Sequence, residues 1–232
     1  MFLSKLALNL RNHRGRFDLA RPYEMHRTLM NAYPYPRVES RCDLLFRIEP
    51  SRTGPPVVLV QTRDDPRGWT QLPRGYLFRP AECKPLDLAV RTGQRLRFRL
   101  RANPTKRVAA KNERLGSVMA GKRVGLVAET DQVRWLMRRG EAGGFTIPGK
   151  WVDATDPETL EKLQFPNFRL DVVTEGRDRN GKPGHAGAFV AVRFEGILVV
   201  SDPDRFVATV ASGLGSGKAF GFGLLSVAPC KE

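Results

Sequence analysis

Cysteine and histidine are scarce in this sequence, at three residues of each in 232. Cys42, Cys83 and Cys230 are an odd number with no close spacing, which excludes a disulfide framework and a zinc ribbon. His13, His26 and His185 pair with no other His, Cys or carboxylate at ligand spacing, so neither a metal site nor a cofactor is expected. No run approaches the ~18 apolar residues needed to span a bilayer. The N-terminal MFLSKLALNLRNHRGR alternates apolar with polar residues, where a signal peptide needs an unbroken apolar block. The expectation is a cytoplasmic protein with no membrane partner.

Acidic residues are also in deficit. The chain has 39 Lys+Arg against 24 Asp+Glu, a net charge of +15, while 41% hydrophobic residues suffice to build cores. Such a balance points to polyanions, nucleic acid first and an anionic membrane surface second. A generically basic surface is the plain alternative. The charge is concentrated, however. Between Arg91 and Arg123 lie eleven Lys and Arg and one acid, Glu113, so this window holds a net +10. Concentration on one segment is what phosphate binding requires, because each neutralised phosphate releases condensed counterions.

Within the window, Arg95-Leu96-Arg97-Phe98-Arg99-Leu100-Arg101 alternates with period two. In a strand, Leu96, Phe98 and Leu100 face a core and four arginines share the other face. Pro104 ends the strand, and Lys106 and Arg107 continue the charge. Like charges on one face repel without a polyanion, which favours polyanion binding over an edge strand charged against aggregation.

Residues 2–10 read as a strand. A helix follows from Pro22 to about Tyr33, with Pro22 suited to its first position and Pro34 enforcing a stop. Leu44–Glu49 and Val57–Thr62 read as strands joined by a Pro/Gly connection, and residues 63–90 supply a weak helix and a final strand. A second cycle opens on the arginine strand and a mobile-looking basic stretch, 105–123. A helix at about Glu129–Arg139 and strands at Phe168–Thr174 and Ala188–Val200 follow, the two strands flanking a hairpin tip over 175–185. A helix capped by Asp202 and a strand at Leu224–Ala228 close the chain. Each cycle is β-α-β-β-α-β, the ferredoxin-like order. The reading is an α+β chain of two tandem ferredoxin-like domains with antiparallel sheets, 1–90 and 91–232.

On the Pro22–Tyr33 helix, Met25, Leu29 and Ala32 form the core stripe. Tyr23, His26, Arg27 and Met30 fall on a different face, so His26 does not read as a core histidine. Tyr and His together can move protons near neutral pH. In RNA, a 2′-OH attacks the adjacent phosphate if one group takes its proton and another protonates the leaving 5′-oxygen, with no metal required. Arg27 could neutralise the phosphorane.

The segment Gly213-Leu-Gly215-Ser-Gly217-Lys218-Ala-Phe-Gly221-Phe-Gly223 fails as a Walker A loop, which needs Gly at 212 and Ser or Thr at 219 where Ser212 and Ala219 stand. It also follows a helix and precedes a strand, the reverse of a phosphate loop's context. What remains is flexible backbone able to approach another backbone closely.

The N-terminal strand, Pro22-Tyr-Glu-Met-His-Arg27, the LRFRLRANP run, Phe194-Glu195-Gly196 and the glycine-rich segment through Leu224-Leu225-Ser226, in this order from residue 1 to about Pro229, resemble the CasE family of CRISPR-associated endoribonucleases, the RNA-processing RAMP members of type I-E Cascade. The resemblance implies metal-independent cleavage of the pre-crRNA repeat at the base of a stem-loop. It further implies that the enzyme stays on the hairpin of the mature crRNA beside other Cascade subunits. It assigns the active-site His and Tyr to His26 and Tyr23, and the family's glycine loop to Gly213–Gly223. The RNA-inserting β-hairpin matches the basic tip Arg177, Arg179 and Lys182. Arg95, Arg97, Arg99, Arg101, Lys106, Arg107, Gly213, Gly215, Gly217 and Lys218 complete the expected RNA contacts. The competing reading is a non-catalytic crRNA-binding RAMP subunit, which needs no His26.

Overall fold

The computed structural model describes residues 1–35, 44–51, 53–108, 121–155, 162–179 and 188–230. They form two compact units, one built on Met1–Ala89 and Val207–Leu225, the other on Val90–Asp178, Ala188–Phe206 and the residues after Leu225.

The first unit opens with β1 (Phe2–Ala7), α1 (His13–Leu19), α2 (Pro22–Ala32), β2 (Leu44–Glu49) and β3 (Val57–Thr62), and closes its sheet with β4 (Glu82–Pro85). The strands stand in the order β2-β3-β1-β4, all neighbours antiparallel. This is the ferredoxin-like order. Leu6 and Leu8 meet Met25 and Leu29 of α2 with Phe46 and Val60, all fully buried, in the core over one sheet face. Burying each of these side chains contributes about 1.5–3 kcal/mol.

Pro22 occupies the first turn of α2, and Tyr33 turns to extended backbone (φ −78°, ψ 124°) directly before Pro34, as the sequence predicts. The strand expected over 2–10 stops at Ala7. Asn12 caps an unforeseen helix there, its side chain accepting from Gly15 N at 3.0 Å. The helix expected within 63–90 shrinks to a 3-10 turn, Arg67–Trp69. Pro66 and Pro73 bracket the turn and Gly68 adopts φ +66°, so no regular helix can propagate.

The second unit begins with β5 (Arg95–Ala102), and β6 (Thr105–Arg107) pairs with β7 (Arg123–Gly125). There follow α3 (Glu129–Ala142), β8 (Phe145–Thr146), β9 (Gly149–Thr155), β10 (Lys162–Phe168), β11 (Leu170–Arg179), β12 (Ala188–Val200), α4 (Pro203–Ser212) and β13 (Leu225–Pro229). The sheet order is β11-β12-β5-β13, again ferredoxin-like, with β8 added beside β12. Asp202 caps α4 as expected, accepting from Arg205 N at 3.0 Å.

Three expectations are corrected here. The two ends of the basic stretch 105–123 are strands that pair with one another, while residues 109–120 lie outside the described residues. Glu175–Arg179 continue β11 and are no part of a hairpin tip. β9 and β10, which fall mostly within the stretch 141–165 where the sequence shows no readable motif, pair antiparallel, with Phe165 opposite Val152. The two strands alternate poorly in polarity, so their pairing is not readable from the sequence.

Candidate active site and nucleic-acid interface

The first unit brings helix α2 and the glycine-rich segment together. Tyr23 and His26 are one helical turn apart and both half-buried, while Met25 and Leu29 fill the core. The Tyr23 ring stacks on Phe220 with centroids 5.4 Å apart and planes 25° apart. The His26 ring stacks on Phe46 of β2 at 6.2 Å and 18°. Each ring is thus held in plane by an aromatic from another element, and each pair contributes about 0.5–1.5 kcal/mol beyond its burial. Phe46 belongs to no sequence motif, and Phe220 falls within the glycine-rich segment with no role of its own readable there.

Arg27 is exposed, and its guanidinium donates to both carboxylate oxygens of Glu24 at 3.1 and 3.2 Å. Glu24 also meets Arg14, which donates to Thr28 Oγ1 and pairs with the buried Asp18 at 2.9 Å. Tyr76 donates to the other Asp18 oxygen at 2.8 Å. Burial, then the neighbouring Asp18 charge, holds that phenol far above its ordinary titration range.

The glycine-rich segment is a shaped turn. Gly213, Gly215, Gly217, Gly221 and Gly223 all take φ between +76° and +91°, a region closed to most side chains. At Gly213 a Cβ would also lie 2.8 Å from the Leu45 side chain and 2.9 Å from Gly223 O. Leu214 N donates to Gly223 O at 2.9 Å and closes the loop at its base. Lys218, Ala219 and Phe220 form a 3-10 turn at its tip, half-buried. Arg47, a buried arginine that the sequence reading passed over, donates to Leu224 O at 3.1 Å and pairs with Glu49. It ties the loop's exit to β2.

In the second unit β5 shows the predicted alternation. Leu96, Phe98, Leu100 and Ala102 are buried, Arg95 and Arg97 exposed, Arg99 and Arg101 half-buried. The arginines are not all unpaired, which corrects the repulsion argument. Arg99 meets Glu195 at 3.0 Å and Arg101 meets Glu175 at 2.7 Å, while Arg193 reaches both acids. Burial pushes the Glu195 carboxyl up, but hydrogen bonds and charge from Arg99 and Arg193 outweigh it and hold it below the ordinary range. Among the described residues, Arg95 and Arg97 alone on this strand have no carboxylate partner. Lys106 lies 4.0 Å from Asp131, and Arg107 is exposed opposite Arg123. Arg177 is exposed on β11. The Arg179 side chain and Lys182 lie outside the described residues. Also among the described residues, no three His, Cys, Asp or Glu side chains converge on a metal-sized site, and no helix is long and apolar enough to cross a membrane.

The profile of the family described as CRISPR associated protein matches residues 1–229. The CRISPR-associated endoribonuclease Cse3 of Thermus thermophilus is 46% identical, over 99% of this chain and all of its own length. The chain belongs to the Cse3/CasE family. The Cascade subunit CasE of Escherichia coli is 31% identical over 89% of this chain and 92% of its own. A structure of Thermus thermophilus Cse3 bound to an RNA representing a pre-cleavage complex superposes with a TM-score of 0.80 at 43% identity, covering 98% of each chain. In this member of the family the Tyr23–His26 pair and the glycine loop share the first unit, and the arginine strand lies in the second.

Proposed function

We infer that the protein cleaves CRISPR repeat RNA and remains on the hairpin product as a subunit of Cascade. The observation that carries the assignment of the chemistry is the pairing of Tyr23 and His26 on one face of α2, each ring held by a stacked aromatic. One of the two takes the proton from the 2′-OH upstream of the scissile phosphate. The oxygen attacks phosphorus, and the other protonates the departing 5′-oxygen. The products are a 2′,3′-cyclic phosphate and a 5′-OH, and the proton balance needs no metal. Arg27, oriented by Glu24, offsets charge on the phosphorane. The positive-φ glycines support close approach of the RNA backbone to the loop's main chain.

Duplex RNA is held by shape and phosphates, because the A-form major groove does not admit side chains. Arg95 and Arg97, exposed on one strand face, suit that task, and Arg177 adds charge on β11. With ~6 phosphates contacted, affinity falls by roughly 10³ between 50 and 200 mM salt.

Incubating the protein with a repeat hairpin in EDTA, beside His26→Ala, tests the reading. The wild type cuts and the variant binds without cutting; a variant that cuts at the wild-type rate removes His26 from the chemistry. A 2′-deoxy nucleotide upstream of the cut leaves RNA that binds and stays intact, and continued cleavage would exclude 2′-OH attack. Wild-type protein that binds the hairpin and never cuts it is a crRNA-binding subunit alone.

A further inference from the structure

The second unit carries a cleft of about 430 Å³ that, Lys106 apart, none of the assignments above uses. It is lined by Lys106 of β6, by Asp131, Arg134, Met137 and Arg138 of α3, and by Trp151 of β9. Three cations and one acid line it. The guanidinium of Arg134 lies over the Trp151 ring, 4.9 Å from its centroid. Arg134 also donates to Gln164 Oε1 at 3.2 Å, and Gln164 donates in turn to Asp153 at 2.9 Å. Phe168 meets the Trp151 ring edge-on at 5.5 Å. The arginine and indole planes are therefore set by neighbours on the β9–β10 hairpin before any ligand arrives. Arg138, one turn further along α3, and Lys106 are exposed at the rim.

This cleft is separate from the arginine strand. Trp135 of α3 stacks on Phe194, which stands opposite Leu100 in the register, so α3 covers the apolar face of the sheet. Arg95 and Arg97 point from the other face. A duplex large enough to lie across the arginine strand does not fit a cleft of this volume. A single unstacked base does, because bases stack on arginine and aromatic planes alike, and flanking cations take the adjoining phosphates.

We propose that this cleft binds an unpaired nucleotide of RNA, with the base on the Arg134–Trp151 stack and the neighbouring phosphates on Lys106 and Arg138. The proposal rests on the reading of the protein as an RNA-binding one. It gives Lys106 a role apart from the arginine strand, and it assigns a role to the β9–β10 hairpin. In a repeat transcript the natural occupant is single-stranded RNA flanking the stem.

Trp69 and Trp135 are each 2% exposed, and Trp151 is the half-exposed one of the three tryptophans. Titration with a short oligouridine RNA therefore quenches Trp151 fluorescence, and Trp151→Phe abolishes the quench. Trp151→Ala weakens oligouridine at least about fivefold, the low end for loss of one stacked base. Arg138→Ala, an exposed side chain whose loss does not threaten the fold, lowers the salt slope for oligouridine by roughly 0.7. Both variants bind a blunt repeat hairpin as the wild type does, and both cleave at the wild-type rate a hairpin that extends one nucleotide past the scissile phosphate.

Absence of quenching, or variants that bind oligouridine like the wild type, overturns the proposal while leaving hairpin cleavage intact. Equal weakening of the blunt hairpin by Trp151→Ala and Arg138→Ala also overturns it, since the cleft would then belong to the duplex surface. Failure of the wild type to bind the hairpin at all would instead remove the RNA reading on which the proposal rests.

Discussion

Tyr23, on the first helix pair of the chain, stacks on Phe220, at the tip of a loop near its end, with ring centroids 5.4 Å apart. The contact sets the plane of the phenol to which the proposed mechanism gives a proton transfer with RNA. On that mechanism the glycine-rich loop also bears on the chemistry, because it carries Phe220.

Phe220→Ala leaves Tyr23 free to rotate. Single-turnover cleavage of the repeat hairpin slows roughly tenfold, in line with losing about 1.5 kcal/mol of aromatic pairing, while hairpin affinity changes little. Phe220→Tyr restores most of the rate. A wild-type rate in Phe220→Ala would mean that the stack does not orient the tyrosine.

Gly213→Ala strains the chain twice, through φ +76° and through a Cβ 2.8 Å from Leu45. The expected loss is about 1–3 kcal/mol of stability, read by chemical denaturation. Gly54→Ala, in an open turn with only Ser51 Oγ at 3.6 Å, serves as the control and stays within about 0.5 kcal/mol.

The arginines of β5 divide into two kinds. Arg95→Ala and Arg97→Ala each flatten the salt dependence of hairpin binding by roughly 0.9 with little change in stability. Arg99→Ala strips a partner from Glu195, and its larger effect falls on unfolding. Equal salt effects from all four arginines would show that pairing with Glu175 and Glu195 does not withhold charge from RNA.

The Glu195 network predicts a pH dependence of known sign. Its carboxyl is held below the ordinary value of 4.5, so its contribution to stability is complete above that value and is lost as the pH falls through the lower folded-state value. Glu195→Gln removes this part of the acid sensitivity. Unfolding midpoints measured from neutral pH down to pH 3 that run parallel for the two proteins would count against the network.

Much of the fold is legible before any coordinates. The alternation from Arg95 to Arg101, the Pro22 and Pro34 boundaries of α2, the Asp202 cap and the core stripe of Met25, Leu29 and Ala32 arise from neighbours close in sequence, where steric and hydrogen-bonding rules act locally. The same local rules set Tyr23 beside His26 on one helix face and kept His26 off the core stripe.

The remainder depends on which distant segments the sheets bring together. Arg99 faces Glu195 because β5 and β12 pair in one register, and a shift by one residue would point Glu195 away from it. Phe220 reaches Tyr23 through a loop whose positive-φ glycines leave its path undetermined by local preference. Residues 63–90 lack a helix because Pro66, Gly68 and Pro73 interrupt it, and the unit still closes its sheet through β4. The types of residue available for proton transfer and phosphate binding were therefore local facts. Which arginines of β5 pair with carboxylates among the described residues, and which rings stack on Tyr23 and His26, were decided by packing between segments far apart in the chain, where burial and register outweigh local preference.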